Sequence, residues 1–151
     1  MSRSRVKAKG RREAGTFAVL PHSVLDSPNW VRCGGNALRL VVALARAFNG
    51  RNNGSLGAPL SVMRKHGFAS SQTLARAIAE AEHYGLIVRT RQGGLNHCTL
   101  FALSWQAIDH GPHELTPTNV APGNWSEERA PFTPTKKRQF QNGTRLVPKR
   151  N

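Results

Sequence analysis

Five residues between positions 70 and 76 carry side chains that can form hydrogen bonds with a nucleic acid. Ser70 and Ser71 precede Gln72 and Thr73, and Arg76 follows one helical turn later. Hydroxyl groups at the start of a helix cap free N–H groups, and the same helix end attracts phosphate. Glutamine pairs with adenine and arginine with guanine at base edges. We therefore expect Gln72 and Arg76 to contact bases; ordinary capping by the serines and a solvated charge on Arg76 are the alternatives.

A second polar set lies some fifteen residues further along the chain. Arg89 and Arg91 alternate with Val88 and Thr90, which places the two arginines on one face of an extended strand. We expect both arginines to contact phosphates, and the alternative is an edge strand that is charged against aggregation. Three flanking residues complete the set of candidate DNA contacts: Arg64, Lys65 and Asn96.

The residues around these candidates predict the elements that position them. Ser70 opens a helix whose apolar residues recur at helical spacing, and Gly85 ends it. The segments 86–91 and 97–105 then alternate in hydrophobicity on either side of the turn-forming sequence Gln92-Gly93-Gly94, as expected of a β-hairpin. A helix with a polar N-terminal end followed by a hairpin is the order of a winged helix, in which the second helix enters the major groove.

The sequence before this module supplies the rest of the fold. Asn36 is predicted to cap a helix over residues 37–49, with a shorter helix over 59–65. Between these helices Ser55-Leu56 is expected to form a short strand that pairs with the wing. The buried stripe expected for the first helix is Leu38, Val41, Leu44, Ala45 and Phe48, with Ala43 facing out. The predicted fold is α+β: a single winged helix-turn-helix domain with three main helices and a β-hairpin wing.

Charge and composition set the expected domain boundaries. The 151 residues are 38% hydrophobic, enough for one modest domain, and carry a net charge of +14. Residues 1–15 are a run of bases with one aliphatic side chain, which predicts a disordered basic arm. The folded domain is expected over residues 16–108. Residues 109–151 are rich in proline and basic, which predicts a mostly disordered tail in which Trp125 or Phe132 docks locally.

Three sequence runs resemble a known class of protein. They are FAVLPHSVLDSPNW, GNALRLVVALARAFNGRNNGSL and LSVMRKHGFASSQTLARAIAEAEHYGLIVRTRQGG, and they span residues 17–105. These runs resemble small bacterial winged-helix proteins and the DNA-binding regions of phage and plasmid replication proteins, most specifically in NGRNNG and YGLIVRTRQGG. The resemblance implies a DNA-binding module of bacterial or mobile-element origin.

Other chemistries find little support in the sequence. The few acidic residues form no carboxylate pair beside a base, so we expect no enzymatic activity. No sequence matches GxxxxGK[ST] or GxGxxG, and no group of ligands has zinc spacing, so we expect no cofactor and no metal. Cys33 and Cys98 are expected to be reduced and partly buried. Because no apolar run is long enough for a membrane span and no secretory signal is evident, we expect no membrane contact and a cytoplasmic, nucleoid-associated location.

Two classes of function remain. The excess of positive charge favours a polyanionic partner, and the polar helix favours double-stranded DNA. The first expectation is a sequence-selective DNA-binding protein, either a small transcriptional regulator or a plasmid or phage replication accessory factor. The second is a winged-helix protein-interaction module with nonspecific affinity for RNA or DNA. A second copy of the chain, or a replication or transcription partner bound through the C-terminal tail, are the further partners considered.

Overall fold

The computed structural model describes residues 15–135, which form an α+β domain of five α-helices and a three-stranded antiparallel sheet. In chain order the elements are α1 (His22–Leu25), α2 (Pro28–Arg32), α3 (Gly35–Ala47), β1 (Leu56–Gly57), α4 (Leu60–Met63), α5 (Ser71–His83), β2 (Ile87–Arg91) and β3 (Leu100–Leu103). Short 3-10 turns occupy Arg64–His66 and Asn124–Ser126. The basic arm expected over residues 1–15 and the tail residues 136–151 lie outside the described residues, apart from Gly15.

Helix α3 is the central element of the core and packs against α5 and the sheet. Its N-cap is Gly34 rather than the expected Asn36, and it ends at Ala47 rather than Asn49. The predicted stripe is right for Val41, Leu44 and Ala45, but Ala43 is buried instead of exposed. Since neighbouring elements cover α3 on more than one side, the buried face is wider than the sequence stripe and also includes Leu40.

Helices α4 and α5 follow each other across a short turn, in the part of the chain where the sequence predicted a helix-turn-helix. α4 is a single turn that continues into the 3-10 turn Arg64–His66, and Gly67 then reverses the chain at a φ of +91°. A positive φ at this point favours glycine because an L side chain is strained there. Phe68, which follows this turn, is 1% exposed and belongs to the core.

The sheet has the order β1-β3-β2, so β3, the last of the three strands in sequence, is the central strand. Leu56 pairs with Phe101, which confirms the expected pairing of Ser55-Leu56 with the wing. β3 covers only Leu100–Leu103, and all four residues are buried, in contrast to the alternation expected over 97–105. A central strand covered on both faces needs no polar positions, which explains the lost alternation.

The chain after the sheet differs from its expectation. A mostly disordered tail was expected from residue 109, but residues 109–135 are held on the domain by hydrogen bonds. The amide of Asp109 donates to Asn53 O at 2.8 Å, and the amide of Glu114 donates to Thr90 O at 3.0 Å. Trp125 and Phe132 pack against the core, as the sequence suggested. The folded part of the chain therefore extends well past residue 108, and its architecture is compatible with a winged-helix domain.

The chain before α3 forms a lead-in to the domain over residues 15–34. Residues 17–20 adopt no regular structure, and Phe17 and Val19 are exposed. Val24 in α1 and Asn29 in α2 are the fully buried residues of this region. The lead-in thus contributes to the core through α1 and α2 rather than through a strand.

Candidate nucleic-acid interface

The N-terminal end of α5 divides its polar residues into two groups. The Ser70 hydroxyl accepts a hydrogen bond from the Thr73 amide at 3.2 Å and donates one to the Thr73 hydroxyl at 2.9 Å. These two side chains therefore complete the helix cap, as the sequence predicted for Ser70. Ser71, Gln72 and Arg76 are exposed and have no side-chain hydrogen bond or ion pair within residues 15–135. These three side chains are therefore available to a ligand, and we call them the free group of α5.

Both acidic residues of α5 are bound by other groups of the protein. Glu80 accepts a hydrogen bond from the Gly34 amide at 2.7 Å, which joins α5 to the start of α3. Glu82 forms an ion pair with Arg89 at 2.8 Å. Glu80 lies one helical turn after Arg76 and lines the same cavity as Arg76 and Gln72, but no ion pair joins Glu80 to Arg76 within residues 15–135.

Two open cavities border α5, one on each side of Arg76. The first, of about 480 Å³, lies between α5 and the start of α3, with Gly34, Gly35, Asn36 and Glu80 in its wall. The second, of about 560 Å³, lies over the outer face of the helix, and we call it the α5 groove. It is lined on the helix side by Ser71, Gln72, Ala75, Arg76 and Ala79, and on the other side by Phe132, Pro134 and Thr135.

The segment that forms the far wall of the α5 groove is a strap, defined here as residues Gly123–Thr135. Asn29, which is fully buried, donates from Nδ2 to Trp125 O at 3.0 Å and to Glu127 O at 2.6 Å. Its Oδ1 accepts from the Arg129 amide at 2.9 Å. One buried asparagine in α2 therefore satisfies three backbone groups of a segment that lies about a hundred residues later.

Helix α5 anchors the far part of the strap. His83 Nε2 lies 2.6 Å from Ala130 O, and the Tyr84 hydroxyl accepts a hydrogen bond from the Phe132 amide at 2.9 Å. The rings of His83 and Phe132 are 5.5 Å apart. Gly85, at a φ of +68°, faces the carbonyl of Asn124 so closely that a Cβ would collide with it. The end of α5 and the strap are thus fitted to each other.

Arg64 and Lys65 lie on the 3-10 turn after α4, where both side chains are exposed. Neither side chain has a hydrogen-bond or ion-pair partner in the described part of the chain. Both lie in the turn between α4 and α5, so their charges precede the N-terminal end of α5 in the chain.

Arg89 and Arg91, the arginines of the predicted wing on β2, are bound by other groups of the protein, unlike Arg76. Arg89 Nε and Nη2 contact Glu82, Nη1 donates to Gln92 Oε1 at 2.6 Å, and the guanidinium lies 5.6 Å from the centre of the Phe101 ring. Arg91 donates to Cys98 O at 2.9 Å and to Pro112 O at 3.0 Å. The register also shifts between the two arginines, which marks a β-bulge. The positive charge of Arg89 is compensated by the Glu82 carboxylate. Arg91 contacts only carbonyl groups, so no carboxylate compensates its positive charge.

Asn96 lies at the exposed tip of the wing, with a φ of +65°. Gly94 and His97 flank it and form an isolated bridge, in which the Gly94 amide donates to His97 O at 3.0 Å. Asparagine tolerates this backbone conformation better than most residues, so its structural role at the tip is already sufficient to explain it. Arg64, Lys65 and Asn96 therefore lie apart from the free group on α5.

The sequence did not identify the two buried asparagines as organising residues. Asn53 is fully buried, and its Nδ2 lies within hydrogen-bonding distance of Leu103 O, Gln106 O and Ala107 O. Its Oδ1 accepts from the Leu103 amide at 2.7 Å. The NGRNNG turn gave a signal for a sharp turn, but no local pattern could show that one of its asparagines holds the chain after β3.

The two cysteines, both unpaired, differ in exposure. Cys33 is buried, but Cys98 is exposed, so the expectation that both are partly buried was wrong for Cys98. Burial, together with the smaller effect of the nearby Glu80 carboxylate, raises the pKa of the Cys33 thiol to about 12. Cys33 is therefore a neutral thiol at ordinary pH, while Cys98 lies at the wing, where its carbonyl group binds Arg91.

In residues 15–135, no group of three or more His, Cys, Asp or Glu side chains is placed to hold a metal ion. No helix in the same range is long and apolar enough to cross a membrane. Comparison of the chain with protein-family models, with curated proteins and with solved structures found no match.

Proposed function

We propose that the chain is a sequence-selective, double-stranded DNA-binding protein of the winged-helix type, and that α5 enters the major groove by its N-terminal end. The observation that carries this proposal is the free group on α5. Gln72 and Arg76 are exposed, unpaired within residues 15–135 and one helical turn apart, on a helix whose first turn is already capped. Those two side chain types hydrogen-bond to adenine and guanine edges, respectively.

The distribution of charge supports the same proposal. The chain carries a net charge of +14, and the two carboxylates of α5 already have partners in Gly34 and Arg89. In this proposal Arg64, Lys65 and Arg91 contact phosphates on either side of the helix, and Asn96 brings the wing tip to the adjoining backbone. Such contacts fix the position of a protein on the duplex without reading sequence.

The proposed biological role follows from the resemblance described above. A non-enzymatic module of this size suits a small transcriptional regulator or a plasmid or phage replication accessory factor that acts at the nucleoid. Reading of a palindromic site would require a second copy of the chain, because two-fold operators match two-fold proteins.

The test replaces Arg76 and a matched arginine outside the free group. A preferred duplex is first selected from a pool of random sequences with the full chain. We expect Arg76→Ala to weaken binding to the preferred duplex by about 1 to 3 kcal/mol and to random duplex by less, because a base contact is lost. Arg51→Ala is the control, since Arg51 is exposed in the NGRNNG turn and its loss changes the net charge equally. Equal losses on preferred and random duplex would contradict base recognition through Arg76.

A protein-interaction module with nonspecific affinity for nucleic acid is the second candidate, and the α5 groove favours it. The strap already lines the outer face of α5 beside Gln72 and Arg76, which narrows the approach to that face. The two candidates differ in their preference for nucleic acid. Stronger retention on duplex DNA than on RNA as the salt concentration rises supports the first candidate, and equal retention supports the second.

A further inference from the structure

The exposed residues of α5 all lie in the wall of the α5 groove. They are Ser71, Gln72, Ala75, Arg76 and Ala79, and the other residues of the helix are half-buried or buried. Because these five positions recur at helical spacing, they form one continuous face. Gln72 and Arg76, the side chains proposed to contact bases, lie on this face. A duplex that receives α5 must therefore approach it through the α5 groove.

The last residues of the strap border that approach. Phe132, Pro134 and Thr135 line the groove opposite the helix, beside the exposed face of α5. The major groove of B-form DNA is about 12 Å wide, and an α-helix with its side chains is about 10 to 12 Å across. One helix therefore fills the major groove, and a second segment beside its exposed face would collide with the duplex.

Contacts with the C-terminal end of α5 hold the end of the strap in this position. His83 Nε2 lies 2.6 Å from Ala130 O, and the Tyr84 hydroxyl accepts a hydrogen bond from the Phe132 amide at 2.9 Å. The Phe132 ring is half-buried, and its centre lies 5.5 Å from that of the His83 ring. The segment is thus bound by the same helix whose exposed face it borders.

The two parts of the strap differ in how firmly they are held. Asn29, which is fully buried, binds three backbone groups between residues 125 and 129, and breaking these bonds would leave buried polar groups unpaired. Residues 130–135 follow this anchor and are held by the contacts with His83 and Tyr84. The strap can therefore open after residue 129 while its first part stays on the domain.

We propose that residues 130–135 are an autoinhibitory segment, which in the closed position blocks the exposed face of α5 and which moves off the helix when duplex DNA binds. This inference rests on the proposed function of α5. Because DNA binds the open form, the apparent Kd equals the Kd of the open form divided by the fraction of molecules that are open. The contacts with His83 and Tyr84 lower that fraction, so they weaken DNA binding although they stabilise the fold.

The experiment releases the segment in the full chain and measures binding to the preferred duplex. Tyr84→Phe removes the hydroxyl that binds the Phe132 amide, and we expect the Kd to fall by about two- to tenfold, the range for one hydrogen bond. Phe132→Ala removes the ring beside His83, and its Kd should also fall. Ser126→Ala is the control, because it removes an exposed hydrogen bond to Gly123 O before the segment begins, and its Kd should stay unchanged. A thermal unfolding curve shows which variants keep their fold.

The salt dependence of binding distinguishes obstruction from a gain of charge contacts. Residues 130–135 read APFTPT and contain no charged side chain, and none of the three substitutions changes the net charge. We therefore expect the slope of log K against log salt to stay that of the unmodified chain while the Kd falls. A steeper slope would assign the tighter binding to new phosphate contacts and overturn the obstruction.

Hydrogen exchange at the Phe132 amide reports the movement itself. In the closed position this amide is bound by the Tyr84 hydroxyl, which slows its exchange with water. Saturating preferred duplex should speed the exchange if the segment leaves α5. A segment that stays between the helix and the duplex would be further protected, so slower exchange in the complex would overturn the displacement.

The remaining outcomes separate this inference from the proposed function. If folded Tyr84→Phe and Phe132→Ala bind the preferred duplex no more tightly than the unmodified chain, while Arg76→Ala weakens binding, the autoinhibition is refuted and base recognition by α5 is not. If neither the unmodified chain nor the released variants bind duplex DNA, both proposals fail. Binding by the released variants alone would support both.

Discussion

The N-terminal half of α5 and the wing both place exposed or half-exposed positive charge on the surface, but they differ in what surrounds it. Arg76 has no hydrogen-bond or ion-pair partner in residues 15–135, whereas Arg89 is bound by Glu82 and Gln92, and Arg91 by two backbone carbonyls. The arginines of the wing hold the hairpin and the chain after it in place. The same side chain thus has no partner within residues 15–135 on one element and is bound by groups of the protein on the other.

This difference shows that the availability of an arginine to a ligand depends on residues outside the element that carries it. Glu82 is in α5 and Pro112 is beyond β3, so neither lies in the alternating strand pattern that pointed to Arg89 and Arg91. A guanidinium has five donors in a fixed plane, and Arg91 uses only part of them on Cys98 and Pro112. We therefore expect the largest loss in the free energy of unfolding from substitutions on the wing side. Substitutions in the N-terminal half of α5 should mainly weaken binding to DNA.

The largest effect expected on the wing side comes from Asn53→Ala. The substitution leaves the Leu103 amide and three backbone carbonyls without their side-chain partner in a buried position. Each buried group left unpaired costs about 1 to 3 kcal/mol, so we expect the free energy of unfolding to fall by about 3 to 5 kcal/mol. Urea denaturation followed by circular dichroism measures this loss.

Asn52→Ala is the matched control in the same turn. Asn52 is half-exposed and makes two hydrogen bonds, to Ala47 O at 3.1 Å and from the Asn49 amide at 2.9 Å. Water can replace these partners, so we expect a loss of roughly 1 kcal/mol or less. If the two substitutions were equally destabilising, Asn53 would not be the residue that holds the wing side together.

The elements proved easier to predict than the contacts that hold them. Helix α5 begins at Ser71 and is capped by Ser70 as expected, because capping and apolar periodicity are local signals that a short stretch of sequence contains in full. The pairing of Leu56 with β3 was also expected from its position after a sharp turn. Both signals fix backbone conformation, which is a property of neighbouring residues.

The strap could not be predicted because the contacts that stabilise it follow no periodic pattern in the sequence. Its backbone groups are satisfied by single side chains such as Asn29 and Tyr84, which lie far away in sequence and have no pattern of their own. Proline and few aliphatic residues gave residues 109–135 the composition of a disordered segment. The candidate residues on α5 were identified from the sequence, but the partners of Arg89 and Arg91 lie outside the alternating strand pattern that pointed to these arginines.

The two wing arginines should differ in how much each contributes to DNA binding. Arg91→Ala should weaken binding to preferred and random duplex by similar factors, of about fivefold or roughly 1 kcal/mol, because Arg91 is the wing arginine without a carboxylate partner. It should also flatten the salt dependence by about one phosphate contact. A fluorescence anisotropy titration at several salt concentrations measures both quantities.

Arg89→Ala is the control for this comparison. Both substitutions remove one positive charge, so the long-range field changes equally and the difference between them reports direct phosphate contact. Since Arg89 is already paired with Glu82, we expect its loss to leave the number of phosphate contacts unchanged. An equally flattened salt slope for Arg89→Ala would mean that its ion pair opens on DNA, and the wing would then resemble α5 after all.

The smallest effect expected is in the alkylation of the two cysteines, which report on the two sides of the comparison without any substitution. Only the thiolate reacts, so exposed Cys98 at the wing should be modified in the folded chain while buried Cys33 beside Gly34 and Glu80 is not. Saturating duplex should slow modification of Cys98 by a few-fold if Arg91 lies on a phosphate, because the carbonyl of Cys98 binds that arginine. Cys98→Ser should abolish the fast modification, and an unchanged rate on DNA would remove the wing from the interface.

The pH dependence of the same reaction checks the assignment of Cys33. Burial raises the pKa of this thiol from an ordinary value of 9.0 to about 12, so the neutral form favours the folded state. That contribution to stability is fully present below about pH 9 and is lost as the pH rises toward 12, since the unfolded chain releases the proton first. In Cys98→Ser we therefore expect no modification of folded protein below pH 9, followed by a rate that rises together with unfolding. Modification of folded Cys98→Ser at neutral pH would show that Cys33 is accessible and that the packing of α3 against α5 is looser at Gly34 than described.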